Sequence, residues 1–397
     1  MLRNRIGYAA LLLVSAAASL AIGTVTTFTV LFAVAMLPLF SFVSLALYPF
    51  FVTSRQRLSA RRVIKGEAQP MEFWVRNRGF FNYPCLSLKL GGGNVIYEEQ
   101  EPDEEAESGG PGEFLSTLGP RGMVKKRLLL TFRYRGVYDV GLESATVTDF
   151  LGIFRMKFKK GIRQRVVVFP KIMEDFALPI SQMQIAEGSH GFDRFSDDYA
   201  DVTDMRKYDP ADDFRKIHWK LTAKRGEFIV KNFHAPGLSR TMVFIDTAKH
   251  RGAAWGTAAF EDLMASLAAS SLDICLKNRQ MSALIYGDGG EDIIDVDNME
   301  TMENAMEVLA MLSFSGEADS LLKSIGKVFL GQSIFDDVVI FASSVDRPLC
   351  SMAMDGFSAG HATFFYYVYP HAGNLSQEDQ GLLEELVAHG VQVEILR

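Results

Sequence analysis

Asp246 is the residue best placed to do chemistry. It closes an apolar, strand-like run at residues 242–246, and in open sheets of parallel strands the ligand crevice lies at the carboxyl ends. A carboxylate at such a position can help to hold a divalent cation or can transfer a proton. Asp246 therefore marks where a hydrolase or a metal-dependent enzyme would work, and that activity is the alternative to a non-catalytic role.

Other side-chain chemistries lack a supporting pattern. The seven histidines show no H-E-x-x-H or comparable metal-ligand spacing. Gly326-Lys327 has no glycine five residues before it, as a phosphate-binding loop requires, and no G-x-S-x-G motif occurs. Cys85, Cys275 and Cys350 are too few and too widely spaced for a disulfide framework or a Cys-based zinc site. We expect no catalytic residue, no cofactor and no intact metal site.

A long uncharged segment, residues 6–54, accounts for much of the 48% hydrophobic content. As one helix it would be about 70 Å long, more than twice the hydrocarbon core of about 30 Å. We therefore predict a transmembrane helical hairpin within residues 1–54, with spans at residues 8–22 and 28–51. A cleaved secretory signal is the weaker alternative, because a second apolar span follows the first directly.

Basic residues flank both outer ends of this hairpin. They are Arg3, Arg5, Arg55, Arg57, Arg61, Arg62 and Lys65. The positive-inside rule then places the N and C termini in the cytoplasm and the chain in the inner or plasma membrane. The formal net charge of -7 argues against a nucleic-acid partner.

The residues after the hairpin fall into two patterns. Alternating apolar residues and frequent turn signals over residues 55–172 predict a small antiparallel β-sandwich, with strands at residues 71–77, 86–90, 127–134, 145–148 and 165–169. The acidic segment 98–113 lacks the D-x-D-x-D-G spacing of a calcium loop, and we predict a solvated loop within a β hairpin.

Residues 239–397 alternate between apolar runs and amphipathic segments. Strands are predicted at residues 242–246, 281–286, 337–342, 363–368 and 391–396, and helices at residues 256–278, 299–313, 317–326 and 377–389. This alternation favours an α/β, Rossmann-like domain with a mostly parallel sheet that is covered on both faces.

The connector between these domains, residues 173–238, carries the most distinctive pattern. Asp209-Pro210 begins a turn, and we predict a short helix at residues 214–223 and a strand at residues 227–231. Two roles fit the charged and aromatic residues here. One is an ion-pair network of Arg206, Asp212, Asp213 and Arg215 that holds the connector in place, and the other is a protein-docking surface with Arg215 and Trp219 as anchors.

This connector resembles the signature of the bacterial domain-of-unknown-function family 58 (DUF58). The matching residues are Arg206, Tyr208, Asp212, Arg215, Ile217, Trp219, Thr222, Ala223 and Lys224, and Ala211 stands where glycine is usual. R-G-V-Y at residues 135–138 and T-D-F-L-G-I-F at residues 148–154 are similar to two further family elements. The resemblance implies a MoxR-type AAA+ ATPase as a partner, with a transglutaminase-like membrane protein as a second candidate, and it supplies no catalytic residue.

The C-terminal region resembles a von Willebrand factor A-type domain, since an Asp closes its first strand. Where such domains bind metal, the strand ends in D-x-S-x-S, but Asp246-Thr247-Ala248-Lys249-His250 has no hydroxyl at either serine position. The resemblance implies the fold with a degenerate metal site. We expect a membrane-tethered cytosolic scaffold or adaptor that works with the ATPase in protein maturation or remodelling. An adhesion module would instead require the large domain to face outward.

Overall fold

The computed structural model describes residues 2–99, 112–159, 161–179, 202–207, 222, 227–233, 240–249, 256–287, 292–330, 337–369 and 375–396. The chain forms two compact units, Met1–Pro170 and Lys171–Arg397.

The first unit begins with two long apolar helices, α1 (Leu2–Ile22) and α2 (Val25–Ala46), followed by the one-turn helix α3 (Tyr48–Phe51). Both long helices have the length and composition to cross a membrane. Their apolar side chains are largely exposed, unlike those of a core helix in a soluble protein. Pro38 lies inside α2 without ending it. The helices are thus compatible with the predicted membrane anchor, and the break between them lies at the expected glycine and threonine.

A β-sandwich follows the helices. Its strands are β1 (Val52–Leu58), β2 (Arg62–Ile64), β3 (Ala68–Asn77), β4 (Tyr83–Gly91), β5 (Val95–Glu99), β6 (Glu113–Leu118), β7 (Met123–Phe132), β8 (Gly136–Thr148), β9 (Arg155–Phe158) and β10 (Ile162–Phe169). One sheet has the order β1-β3-β7-β5 and the other β2-β10-β8-β4-β6, with β9 on β8. All pairs are antiparallel except β2 with β10. The five predicted strands are confirmed, and five further strands complete the two sheets.

The acidic segment was predicted to lie within a β hairpin, and that prediction is wrong. The strands on either side of it, β5 and β6, belong to different sheets, because β5 pairs with β7 while β6 pairs with β4. Residues 100–111 lie outside the described residues. The chain therefore passes from one sheet to the other between β5 and β6.

The sandwich core comes from strands whose side chains alternate between the two faces of each sheet. In β3, for example, Met71, Phe73 and Val75 are buried while the residues between them are more exposed. Tyr83, near the helices, is also fully buried. This period of two is what packs one face of each sheet against the other.

The second unit contains a doubly wound α/β sheet. Its strands are β13 (Arg240–Ile245), β14 (Met281–Tyr286), β15 (Asp292–Val296), β16 (Asp337–Ala342), β17 (Ala362–Val368) and β18 (Gln392–Leu396). Its helices are α4 (Thr257–Lys277), α5 (Met299–Met311), α6 (Ser320–Leu330), α7 (Arg347–Ser358) and α8 (Gln377–Ala388). The strand order is β15-β14-β13-β16-β17-β18, and only β15 runs antiparallel. The predicted mostly parallel sheet is confirmed.

The connections between these strands place a switch point in the middle of the sheet. From β13 the chain passes through α4 to β14 on one side, and from β16 it passes through α7 to β17 on the other. Helices α6, α7 and α8 share one core with one face of the strands, while α4 packs against β13, β14 and β16. The ligand crevice of such a fold is expected at the carboxyl ends of β13 and β16.

A two-stranded ribbon precedes the α/β sheet. It pairs β11 (Val202–Lys207) with β12 (Ile229–Phe233) in antiparallel register, so that Lys207 lies opposite Ile229. The strand expected at residues 227–231 therefore begins two residues later than predicted. The ribbon brings the two ends of the signature segment together.

Gly141 should be required for the sandwich. Its φ is +127°, and an added Cβ would overlap the side chain of Gln56 and the carbonyl oxygen of Ile162. The Gln56 amide links the two sheets by donating to the Val140 carbonyl at 3.2 Å and accepting from the Leu142 amide at 3.4 Å. We expect Gly141→Ala to lower the free energy of unfolding by about 2–4 kcal/mol, through overpacking and backbone strain.

Urea unfolding monitored by circular dichroism measures this effect. Gly119→Ala is the matched control, because a Cβ at Gly119 meets no atom within 4 Å and its φ is not positive. Equal stability of the two variants would contradict the requirement for glycine at position 141.

Candidate functional site

The carboxyl ends of β13 and β16 are joined by the side chain of Asp246. One carboxylate oxygen, Oδ1, accepts a hydrogen bond from the Ala248 amide at 2.9 Å. The other, Oδ2, accepts from the Ser343 amide at 3.2 Å and from the Ser343 hydroxyl. Asp246 is 2% exposed. Protein donors thus surround the carboxylate at the point where the fold would otherwise open a ligand crevice.

A second layer of backbone contacts closes the same strand end. Ala248 forms a parallel bridge with Gly316. The Gly316 amide donates to the Thr247 carbonyl at 3.0 Å, and the Lys249 amide donates to the Gly316 carbonyl at 3.2 Å. Thr247 and Ala248 are buried as a result. Residues 247–249, which follow the aspartate of the D-x-S-x-S position, are therefore held by backbone hydrogen bonds to the loop between α5 and α6.

This arrangement fits a structural carboxylate better than a metal ligand. A cation would have to compete with the three donors that already bind Asp246, and a hard cation such as Mg²⁺ needs further oxygen ligands nearby. Within the described ranges no group of three or more His, Cys, Asp or Glu side chains could hold a metal ion. His250 lies outside the described residues. Chemically, the Asp246 contacts hold two neighbouring strand ends in register.

Two of the three cysteines are buried in the α/β unit. Burial raises the pKa of the Cys275 thiol to about 12 and that of Cys350 to about 11, and the nearby carboxylates of Asp346 and Glu385 add to the rise at Cys350. Both groups are therefore neutral thiols at physiological pH, whereas the nucleophile in cysteine chemistry is the thiolate.

The signature connector is described only at its borders. The backbone of Arg206 lies in β11 opposite Val230, and Thr222 has helical backbone, as the predicted helix requires. The other predicted site residues lie outside the described residues. They are Tyr208, Asp212, Arg215, Ile217, Trp219, Ala223 and Lys224, together with Asp213 of the predicted ion-pair network. Both predicted roles of the signature therefore stay predictions.

The partners of Asp246 were not predicted from the sequence. Ser343 follows the apolar run of β16 directly, just as Asp246 follows that of β13. A hydroxyl immediately after a buried parallel strand is a signal that could have been used, because the ends of adjacent parallel strands lie together. Gly316 offers no comparable signal, since its contacts to residues 247–249 involve only backbone atoms.

The described residues thus define a protein in which an apolar helical hairpin and a β-sandwich precede a doubly wound α/β sheet. The family model described as "Protein of unknown function DUF58" matches residues 204–318. That range includes the signature, Asp246 and Gly316. The match supports assignment of the chain to this family, as the signature residues predicted. No curated protein matches the chain.

Solved structures resemble the chain only weakly. A cohesin module from a family 33 glycoside hydrolase of Clostridium perfringens is 14% identical, with 30% of this chain and 96% of that chain covered and a TM-score of 0.23. The cupredoxin domain of amoB from Nitrosocaldus yellowstonii is 13% identical, with 32% and 95% covered and a TM-score of 0.22. Structural similarity with TM-scores this low supports no conclusion about either fold or function.

Asp246→Ala should destabilise the α/β unit by about 2–4 kcal/mol, because it leaves buried amide donors and the Ser343 hydroxyl without their charged acceptor. The control is Glu384→Ala, which removes an exposed carboxylate of α8 and should cost about 0.5 kcal/mol or less. Urea unfolding compares the variants. Unchanged stability of Asp246→Ala, combined with loss of stoichiometric Mg²⁺ or Ca²⁺ binding by calorimetry, would instead establish a metal site.

Cys275 and Cys350 should resist alkylation in the folded protein at pH 8, where a thiol of pKa about 11 is only roughly one part in a thousand thiolate. Cys85, which is partly exposed, should react first. Mass spectrometry after iodoacetamide treatment, with and without denaturant, identifies the modified residues. Rapid native-state labelling of Cys275 would contradict the buried, neutral thiol.

Proposed function

We propose that the protein is a membrane-tethered cytosolic scaffold or adaptor that binds a MoxR-type AAA+ ATPase and couples it to the maturation or remodelling of another protein. The hairpin α1–α2 is the tether, and the α/β unit is a von Willebrand factor A-like domain. Both termini lie in the cytoplasm, at the inner or plasma membrane. A transglutaminase-like membrane protein is a second candidate partner.

The main support for a non-catalytic role is that protein hydrogen-bond donors already occupy the carboxylate of Asp246 at the end of β13. A catalyst on this fold would be expected to use the crevice at the switch point, yet the Asp246 carboxylate is buried and bound by Ala248 and Ser343. The buried, neutral thiols of the α/β unit add no nucleophile. These features favour a domain that presents a surface over one that transforms a substrate.

The signature segment is the proposed docking site. Strands β11 and β12 flank it and pair with each other, with Lys207 opposite Ile229, so the two ends of the segment lie side by side. Arg and Trp are enriched among the residues that dominate protein interfaces, and Arg215 and Trp219 are the proposed anchors. The family match over residues 204–318 supports this region as the defining part of the chain.

Affinity purification in mild detergent tests the proposal. We expect an AAA+ ATPase to co-elute with the wild type and to be lost from an Asp212→Ala/Arg215→Ala/Trp219→Ala variant, since anchor residues contribute about 2 kcal/mol or more each and their loss weakens binding more than tenfold. Mass spectrometry identifies the co-eluting proteins. Thermal unfolding establishes that the variant is still folded.

The charge-matched control is Glu384→Ala/Arg347→Ala, which removes one exposed acid and one exposed base elsewhere in the α/β unit and should retain the ATPase. If no ATPase accompanies any of the three proteins, the partner proposal is wrong. If all three retain it, the partner proposal stands but docking through the signature does not.

A further inference from the structure

Three loops of the β-sandwich lie at the end that joins the helices; two of them contact the helices, and the remaining one packs on one of these two. They are residues 78–82 between β3 and β4, residues 119–122 between β6 and β7, and residues 149–154 between β8 and β9, and we call them the hairpin-proximal loops. The Arg78 amide donates to the Phe51 carbonyl at 2.9 Å, and the Arg121 amide donates to the Gly79 carbonyl at 3.1 Å. The first two loops thus pack together beside α3.

Polar contacts join the third loop to both long helices. Asn4 and Arg5 of α1 donate side-chain hydrogen bonds to the carbonyls of Leu151 and Ile153 at 3.2 and 3.0 Å. The Ser41 hydroxyl of α2 donates to the buried carboxylate of Asp149, whose other oxygen accepts from the Phe154 amide at 2.8 Å. The loop is therefore held at the level of Arg5 on one helix and of Ser41 on the other.

These contacts fix the depth of the loops relative to a bilayer. The uncharged helix between Arg5 and Ile22 and the helix between Val25 and Ser41 are each about 25 Å long, at 1.5 Å per residue. That length is close to the hydrocarbon thickness of about 30 Å. A charged Arg5 is strongly disfavoured in the hydrocarbon centre and belongs at its boundary. The hairpin-proximal loops, which lie at the level of Arg5, then lie in the headgroup layer.

The loops carry the side chains that suit this layer. Phe81 and Phe150 pack against Phe40 of α2, with ring centroids 5.7 and 6.1 Å apart. Two rings extend outward, since Phe80 is 71% exposed and Phe150 is 43% exposed. The Arg121 guanidinium lies 4.8 Å from the centroid of the Phe80 ring. Phe side chains are typical of apolar surfaces that insert at the headgroup boundary, and cationic groups near them are attracted to anionic headgroups.

We propose that the hairpin-proximal loops form a lipid-binding surface that inserts Phe80 and Phe150 into the headgroup layer of the bilayer spanned by α1 and α2. The sandwich then sits on the membrane at a fixed height instead of moving freely on a tether. This inference rests on the membrane-tether part of the proposed function, and it adds a peripheral lipid contact made by the sandwich.

Fluorescence quenching in vesicles containing anionic lipid tests the proposal on the full chain. In a Cys85→Ser background, Phe80→Cys, Phe150→Cys, Val137→Cys and Phe32→Cys are each labelled with an environment-sensitive dye. Val137 is the matched control, since it is 42% exposed, as Phe150 is 43% exposed. It lies at the other end of β8, about 35 Å away along the strand at 3.3 Å per residue. Phe32, in the middle of α2, reports whether the hairpin is in the bilayer.

We expect nitroxide placed on the lipid headgroup to quench the dyes at positions 80 and 150 and shift their emission to shorter wavelength in vesicles, with no change at position 137. Nitroxide near the middle of the acyl chain should quench position 32. If position 32 is quenched while positions 80 and 150 behave like position 137, the hairpin spans the membrane and the lipid-binding surface is wrong. If position 32 is not quenched, α2 does not span the membrane. The membrane tether is then wrong, and so is the lipid-binding surface that rests on it.

Discussion

The carboxylate of Asp149 is the contact on which the arrangement of the first unit depends. It closes the β8–β9 loop by accepting from the Phe154 amide and joins that loop to α2 through the Ser41 hydroxyl. A buried carboxylate must be satisfied by hydrogen bonds, so the loop and the helix are held together. Asp149 belongs to the T-D-F-L-G-I-F element, so this short motif joins a loop of the sandwich to α2.

Asp246 uses the same physical principle in the second unit. Both aspartates lie directly after a strand, are buried, and accept a backbone amide from the loop that follows together with a serine hydroxyl from a distant element. Charge-assisted hydrogen bonds of this kind are among the stronger contacts in proteins. An aspartate at a strand end is therefore ambiguous from sequence alone, since it can serve a ligand or the fold itself.

The sequence was most informative where burial imposes a simple pattern. The runs at residues 281–286 and 337–342 match β14 and β16 because strands buried on both faces are continuously apolar. The edge strand β15 and helix α7 were missed, since an edge strand is half exposed and α7 begins with the pair Arg347-Pro348, which continues no apolar pattern. Strand β1 was also missed, because Arg55 and Arg57 indicated a membrane flank. The partner of Asp246 lies 97 residues away, beyond any local pattern.

The position of β13 in the sheet affects how the chain is made. Its neighbour β16 follows only after the whole of β14, β15, α5 and α6, and at 5–20 residues per second the ribosome needs roughly 5 to 20 seconds to reach it. During that interval one edge of an almost wholly apolar strand has no partner, which exposes it to incorrect pairing. The β-sandwich, complete at β10, can fold before that interval begins. Aggregation of nascent chains would therefore start from the α/β unit.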